Sequence, residues 1–227
     1  MQTETMTSQK EVLRSAPIYQ GQFGEFTITP DDRREVIIYR CGLTIAAVSF
    51  AIGSTLALTQ GNQPFIQSLL TPLYTLFTIG LGISLFTIHI YLKVLHRTLQ
   101  AFWIIGAIAS LFVAHFSPEP FVSTVYRYPL TLLGIGFAFA ALTGIFFKEA
   151  FCFDRLETKL LTPIVPLLLL GHLTGLLPLQ VEQTLLASWA GLFVVFAFRK
   201  VIQQIPPDIG DKSVFEYLKQ QRRSKPV

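Results

Sequence analysis

The chain has 227 residues, 51% hydrophobic and 14% charged, with a formal net charge of +4. Soluble domains carry about 25% charged residues, so an ordinary soluble globular fold is excluded. The basic excess is dispersed along the chain rather than clustered on one long face, which speaks against nucleic-acid binding. The two cysteines, Cys41 and Cys152, have no metal-type spacing and are expected to be reduced.

Residues 1–35 are polar and are expected to form a loosely ordered N-terminal arm, with "YQGQFGEFTI" as its only aromatic segment. They contain no apolar core of a cleavable signal peptide, so the first span is expected to serve as an uncleaved insertion signal. "TPDDRREV" reads as a helix start. Thr29 is a capping residue, Pro30 suits the first helical position, and Asp31 and Asp32 complement the positive end of the helix dipole.

Apolar runs of about 20 residues then recur, each long enough to cross a hydrocarbon core of about 30 Å. Six spans are predicted within residues 36–203: Ile37–Leu58, Leu70–Leu92, Leu99–Phe116, Tyr128–Phe147, Leu160–Leu177 and Thr184–Phe198. The runs lack the alternation of a membrane β-barrel, and isolated backbone in lipid must bond within its own segment. The predicted fold class is therefore all-α, a polytopic membrane helix bundle with six transmembrane helices. Residues 204–227 form a basic tail, in which a short helix from Asp211 to about Arg223 would favour an anionic lipid surface.

With six spans the termini share one side, and 17 of the 18 Lys and Arg residues then fall on it. Only Arg127 is left for the other face. The positive-inside rule therefore predicts cytoplasmic N and C termini. Tyr39, Tyr91 and Trp103 are expected near the cytoplasmic interface, and Tyr74, Tyr126, Tyr128 and Trp189 near the opposite one.

Helices in lipid meet at small residues. Gly136, Ala140 and Gly144 in span four, with Gly171 and Gly175 in span five, are the expected packing ridges. No Asp, Glu, Lys or Arg lies between the interfacial ends of any predicted span, Arg40 standing at one such end, which disfavours a proton pump, a voltage sensor or a carboxylate-coupled transporter. No nucleophile, zinc or phosphate-binding motif is present, so no catalytic residue and no metal site is expected.

Of the four histidines, only His172 is expected to be deep, roughly 18 Å below the cytoplasmic surface at 1.5 Å per residue. His89 lies much shallower, so the two cannot clamp one haem. His172 alone is the candidate axial ligand to a haem or chlorophyll.

Between spans four and five, Lys148 to Lys159 reads as a loop of about a dozen residues whose charges cancel. Glu149, Asp154, Arg155 and Glu157 are its expected ion-paired cap or partner contacts. Pro163 and Pro166 follow and mark an irregular entry to span five, where a fold-back of the chain would bring His172 toward these charges.

"KEAFCFDRLET" and the following "LTPIVPLLLLGHLTG", within the six-span plan, resemble an uncharacterised integral membrane protein family of cyanobacterial type, domain of unknown function 2301. The resemblance implies a membrane and a photosynthetic lineage, and no activity. The functional expectation is a non-enzymatic accessory or assembly protein of a bioenergetic membrane, either the cell inner membrane or the thylakoid membrane. Its partners would be the lipid bilayer and other membrane-protein subunits. The alternatives are an uncharged-path small-solute transporter opening near Pro163 and Pro166, and a tetrapyrrole-binding protein built on His172.

Overall fold

Backbone N–H and C=O groups in hydrocarbon must be satisfied internally, and helices dominate the computed structural model, which describes residues 17–21, 24–90, 92–205, 209 and 211. The first sixteen residues and the predicted tail helix of Asp211 to Arg223 lie outside the described residues, apart from Asp211 itself. The helices are α1 (Pro30–Gln60), α2 (Pro64–Thr87), α3 (Lys93–Phe116), α4 (Phe121–Arg127), α5 (Leu132–Phe153), α6 (Leu156–Thr174) and α7 (Leu179–Ile202). All except the short α4 are long and apolar enough to cross a membrane, a 3-10 turn at Pro129–Thr131 extending the fourth of them. The six predicted spans are thus present. The unpredicted α4 sits between the third and the fourth.

Helix α1 starts as the sequence predicts. The Asp32 N–H donates to the Thr29 hydroxyl at 3.2 Å, the Thr29 N–H donates to the Asp32 carboxylate at 2.9 Å, and Pro30 fills the first helical position. At 1.5 Å per residue its 31 residues reach about 46 Å, well beyond a hydrocarbon core of about 30 Å. The stretch from Cys41 to Gln60 suffices to cross. Tyr39 and Arg40 therefore stand at the boundary.

Before α1 the chain forms a small antiparallel hairpin, β1 (Ile18–Gln20) with β2 (Glu25–Thr27), closed by a stack of Tyr19 on Phe26. The arm is thus partly ordered. A Cβ at Gly21 would stand 2.7 Å from an Asp211 carboxylate oxygen, so the hairpin turn lies against the chain that follows α7.

In the bundle, neighbours run in the order α2, α1, α7, α6, α5, α3, with a lighter contact between α3 and α2. The core is aromatic and aliphatic: Phe77, Phe146, Phe193, Phe196, Leu43, Leu81, Leu142 and Ile145 are fully buried. Trp189 belongs to it too. Expected at the interface, it is 2% exposed and packs on Phe50 at 4.4 Å between ring centroids. Tyr74 is likewise inside, sharing a hydrogen bond with Ser110.

Close helix approach occurs where small residues meet backbone. A Cβ on Gly42 would lie 2.7 Å from the Gly80 carbonyl oxygen, and one on Gly80 would lie 2.6 Å from that of Gly42. This fixes the α1–α2 crossing. On α5 the row that meets α3 is Gly134 and Ala138, facing Ala109 and Gly106. The expected row is corrected in part: Gly136 has open space beside it and Ala140 is exposed, whereas Gly144 packs on Leu99. Small residues occur two apart on α5, and their spacing alone does not say which row faces a neighbour. Gly171 packs on Leu177, and Gly175, at φ 66°, ends α6 in the left-handed conformation rather than forming a ridge.

Gly80→Leu should therefore lower the stability of the purified protein, because overpacking costs about 1–3 kcal/mol and this neighbour is backbone. Gly136→Leu should stay within about 0.5 kcal/mol. Size-exclusion of heated detergent samples, read by intrinsic fluorescence, checks both.

Candidate functional site

The charges that read as a loop are organised by helix ends. Helix α5 continues to Phe153 and α6 begins at Leu156, so the connection shrinks from a predicted dozen residues to Asp154 and Arg155. Asp154, at φ 49°, supplies the left-handed stop, a conformation that Asp tolerates better than most residues. Lys148 and Glu149 are thereby held within the last turns of α5, and Glu157 in the first turn of α6.

Glu149 is fully buried, and three groups from three helices converge on its carboxylate. Lys200 from α7 donates to Oε2 at 2.6 Å, Lys148 from α5 donates to Oε1 at 3.0 Å, and the Tyr39 hydroxyl from α1 donates to Oε1 at 3.4 Å. The Lys200 ammonium also sits 4.2 Å from the centroid of the Phe153 ring. A cation over an aromatic face gains electrostatic attraction where water is scarce.

A second pair flanks the first. Arg199, next in sequence to Lys200, donates to Glu157 Oε2 at 2.7 Å, and Arg155 lies 3.8 Å from the other oxygen. Glu157 favours the positive end of α6, and Arg199 and Lys200 favour the negative end of α7. Arg40 completes the face: its guanidinium donates to the carbonyls of Val201, in the last turn of α7, and Gln204, just past its end. Asp154 is exposed and pairs with Lys159.

The four predicted cap residues therefore divide. Glu149 and Glu157 lie inside the bundle, Arg155 packs beside Glu157, and only Asp154 reaches out. Helices α5 and α7 run past the predicted span ends at Phe147 and Phe198, which places Lys148, Glu149 and Lys200 in their last turns rather than in a loop or tail. Sequence reading missed Tyr39, Arg199 and Lys200 as members. The available signal was a dipeptide pair, "KE" at the end of one apolar run and "RK" at the end of another.

His172 is elsewhere. Helix α6 runs unbroken through Pro163 and Pro166, so there is no fold-back, and His172 sits in its last turn at the opposite end of the bundle from Glu149. His172 therefore stands at a helix end and not partway along a span. Its Nδ1 lies 2.8 Å from Glu182 Oε1 of α7, its Nε2 lies 3.1 Å from the Tyr126 carbonyl oxygen of α4, and its ring stacks on Tyr126. Both partners are acceptors, and the tautomer sets which ring nitrogen donates.

One further grouping appears beside the N terminus of α1, where Asp32, Glu35 and His89 each bring a possible ligand atom within 4.8 Å of the others. Asp32 is already engaged by the Thr29 cap. His89 and His172 are at opposite ends of the bundle.

Residues 83–217 match the model of a family described as uncharacterised integral membrane protein, DUF2301. That is more than half of the chain, and the chain belongs to this family; it is a multi-pass integral membrane protein. No curated protein and no solved structure matches it.

Breaking a buried ion pair by removing one partner costs about 3–5 kcal/mol, whereas replacing both with apolar groups is often neutral. Glu149→Leu, which strands Lys200, should sharply lower the melting temperature in detergent. The double variant Glu149→Leu/Lys200→Met should recover most of that loss.

Proposed function

We propose that this family member is a non-enzymatic accessory or assembly protein of a bioenergetic membrane, with both termini in the cytoplasm. The observation that carries this reading is the consumption of the buried charges by one another. Glu149, Lys148, Lys200, Glu157 and Arg199 pair internally across α5, α6 and α7. A hydrolase or an ion carrier needs charges that face a substrate or a path. Here they form a rigid platform.

The platform presents a contact surface for partner subunits at the α5–α6 turn, where Phe151, Leu156 and Asp154 project at 85%, 68% and, for the Asp154 side chain, 88% exposure. Arg33, Arg34, Lys93, Arg97, Lys148, Arg155, Lys159 and Lys200 fall at the same end of the helices, and Arg127 falls at the other, which supports the orientation. A transporter reading draws less support, because α6 stays continuous through its two prolines instead of breaking. A tetrapyrrole reading would require His172 to surrender one of its two contacts.

Affinity isolation in mild detergent should recover partner membrane subunits with the native chain and lose them with Phe151→Glu, the fold being intact by size exclusion. Recovery of the native chain only as a lone protein would overturn the reading. A green fluorescent protein fused after Val227 should fluoresce, and an alkaline phosphatase fused there should be inactive.

A further inference from the structure

Beyond this role, the half of the bundle away from the platform contains a cavity of about 170 Å³ between α1, α2, α4, α5 and α7. Its walls are almost wholly apolar and rich in rings. Phe50, Tyr74, Phe77 and Phe139 all line it, and Phe77 lies 5.7 Å from Phe50, 5.8 Å from Tyr74 and 5.5 Å from Phe139 between centroids. An apolar cavity of about 150 Å³ is enough to hold benzene. This one is partly open, so a ring seated in it can trail a substituent outward.

Ser49 and Ser54 of α1 line the same cavity, each 6% exposed. Among the described residues neither hydroxyl has a hydrogen-bond partner. Thr44 and Thr59 of α1 and Thr75 and Thr78 of α2 each donate instead to the carbonyl one turn earlier. An unpaired hydroxyl at a cavity wall can donate to an acceptor that a bound molecule supplies. The two serines are five residues apart, about 7.5 Å along the helix axis. That separation suits a molecule with an oxygen at each end better than one with a single oxygen.

We propose that this cavity binds the ring of a neutral, membrane-dissolved quinone-type molecule. The ring packs among Phe50, Phe77 and Phe139, and its two carbonyl oxygens accept hydrogen bonds from Ser49 and Ser54. No charge lines the site, which selects against anionic headgroups. The proposal concerns binding alone and involves no electron transfer.

The chain has two tryptophans, and Trp189 packs directly on Phe50 and Phe139, so it reports on the cavity once Trp103→Phe silences the other. In nanodiscs, decylubiquinone should quench Trp189 with a saturable curve. Ser49→Ala/Ser54→Ala should weaken the midpoint by about threefold to tenfold, as expected for hydrogen bonds worth about 0.5–1.5 kcal/mol. Gly53→Val should abolish saturation by filling the cavity, where a Cβ meets only ordinary contacts at 3.8 Å or more. In the Trp103→Phe protein with no cavity substitution, the non-quenching phenol thymol should displace the quinone. Quenching that rises linearly and equally in all variants would overturn the proposal, as would saturable quenching indifferent to the two serines.

Discussion

The architecture depends on how one carboxylate is neutralised where water is scarce. Glu149 has no exposed surface, and a lone buried anion is strongly disfavoured. Lys148 from its own helix and Lys200 from α7 neutralise it, and the Tyr39 hydroxyl from α1 donates to it as well. Three helices are thereby registered at one point. Arg199, next in sequence, meets Glu157 at the start of α6, and Arg40 reaches the carbonyls of Val201 and Gln204 at and just past the end of α7. The ionic groups add specificity of register more than net stability, because desolvation offsets much of the attraction between buried charges.

Away from the charges the same helices are held differently. Lipid tails are as apolar as the side chains they would replace, so cohesion there comes from close packing and shape. The α1–α2 hairpin achieves it through Gly42 and Gly80, whose backbones approach so closely that neither position has room for a methyl group. Among α1, α5 and α7, large rings such as Phe50, Phe139 and Trp189 do the same work with less intimate contact. Packing of bulky rings leaves gaps where glycine packing does not. The cavity lies in that region for this reason.

Much of the fold was legible because a bilayer imposes length and polarity on each element directly. The six spans, the Thr29–Pro30–Asp32 helix start and the grouping of basic residues at one end all follow from such local constraints. What could not be read was contact between distant parts of the chain. "KEAFCFDRLET" looks like a loop when charges are assumed to seek water, and Lys200, more than 50 positions on, is what makes Glu149 tolerable inside a helix. The same holds for Trp189, whose amphipathic ring suggested an interface until its neighbours were known. His172 was misplaced by both ends of its span: α6 starts at Leu156 rather than Leu160 and ends at Thr174 rather than Leu177, which puts His172 in its last turn beside Glu182 and Tyr126. The α4 helix escaped notice because its seven residues are too few to show a period.

The extent of the family match bears on how these parts relate. Residues 83–217 include Lys148, Glu149, Glu157, Arg199 and Lys200, so the ionic platform belongs almost entirely to the portion that defines the family. Helix α1 lies outside the matched portion, and it contributes Tyr39 to the platform but Ser49, Phe50 and Ser54 to the cavity. The platform can form without any charge from α1, since Glu149 already has two ammonium partners from α5 and α7. The cavity cannot form without α1, which supplies both of its free hydroxyls and one of its ring walls. Helix α1 is thus a modest addition to the cohesion of one end and a necessary wall of a site at the other. Its glycine-locked crossing with α2, made at Gly42 between those two regions, fixes how α1 lies on α2 and so where the serines stand against Tyr74 and Phe77 of the cavity wall.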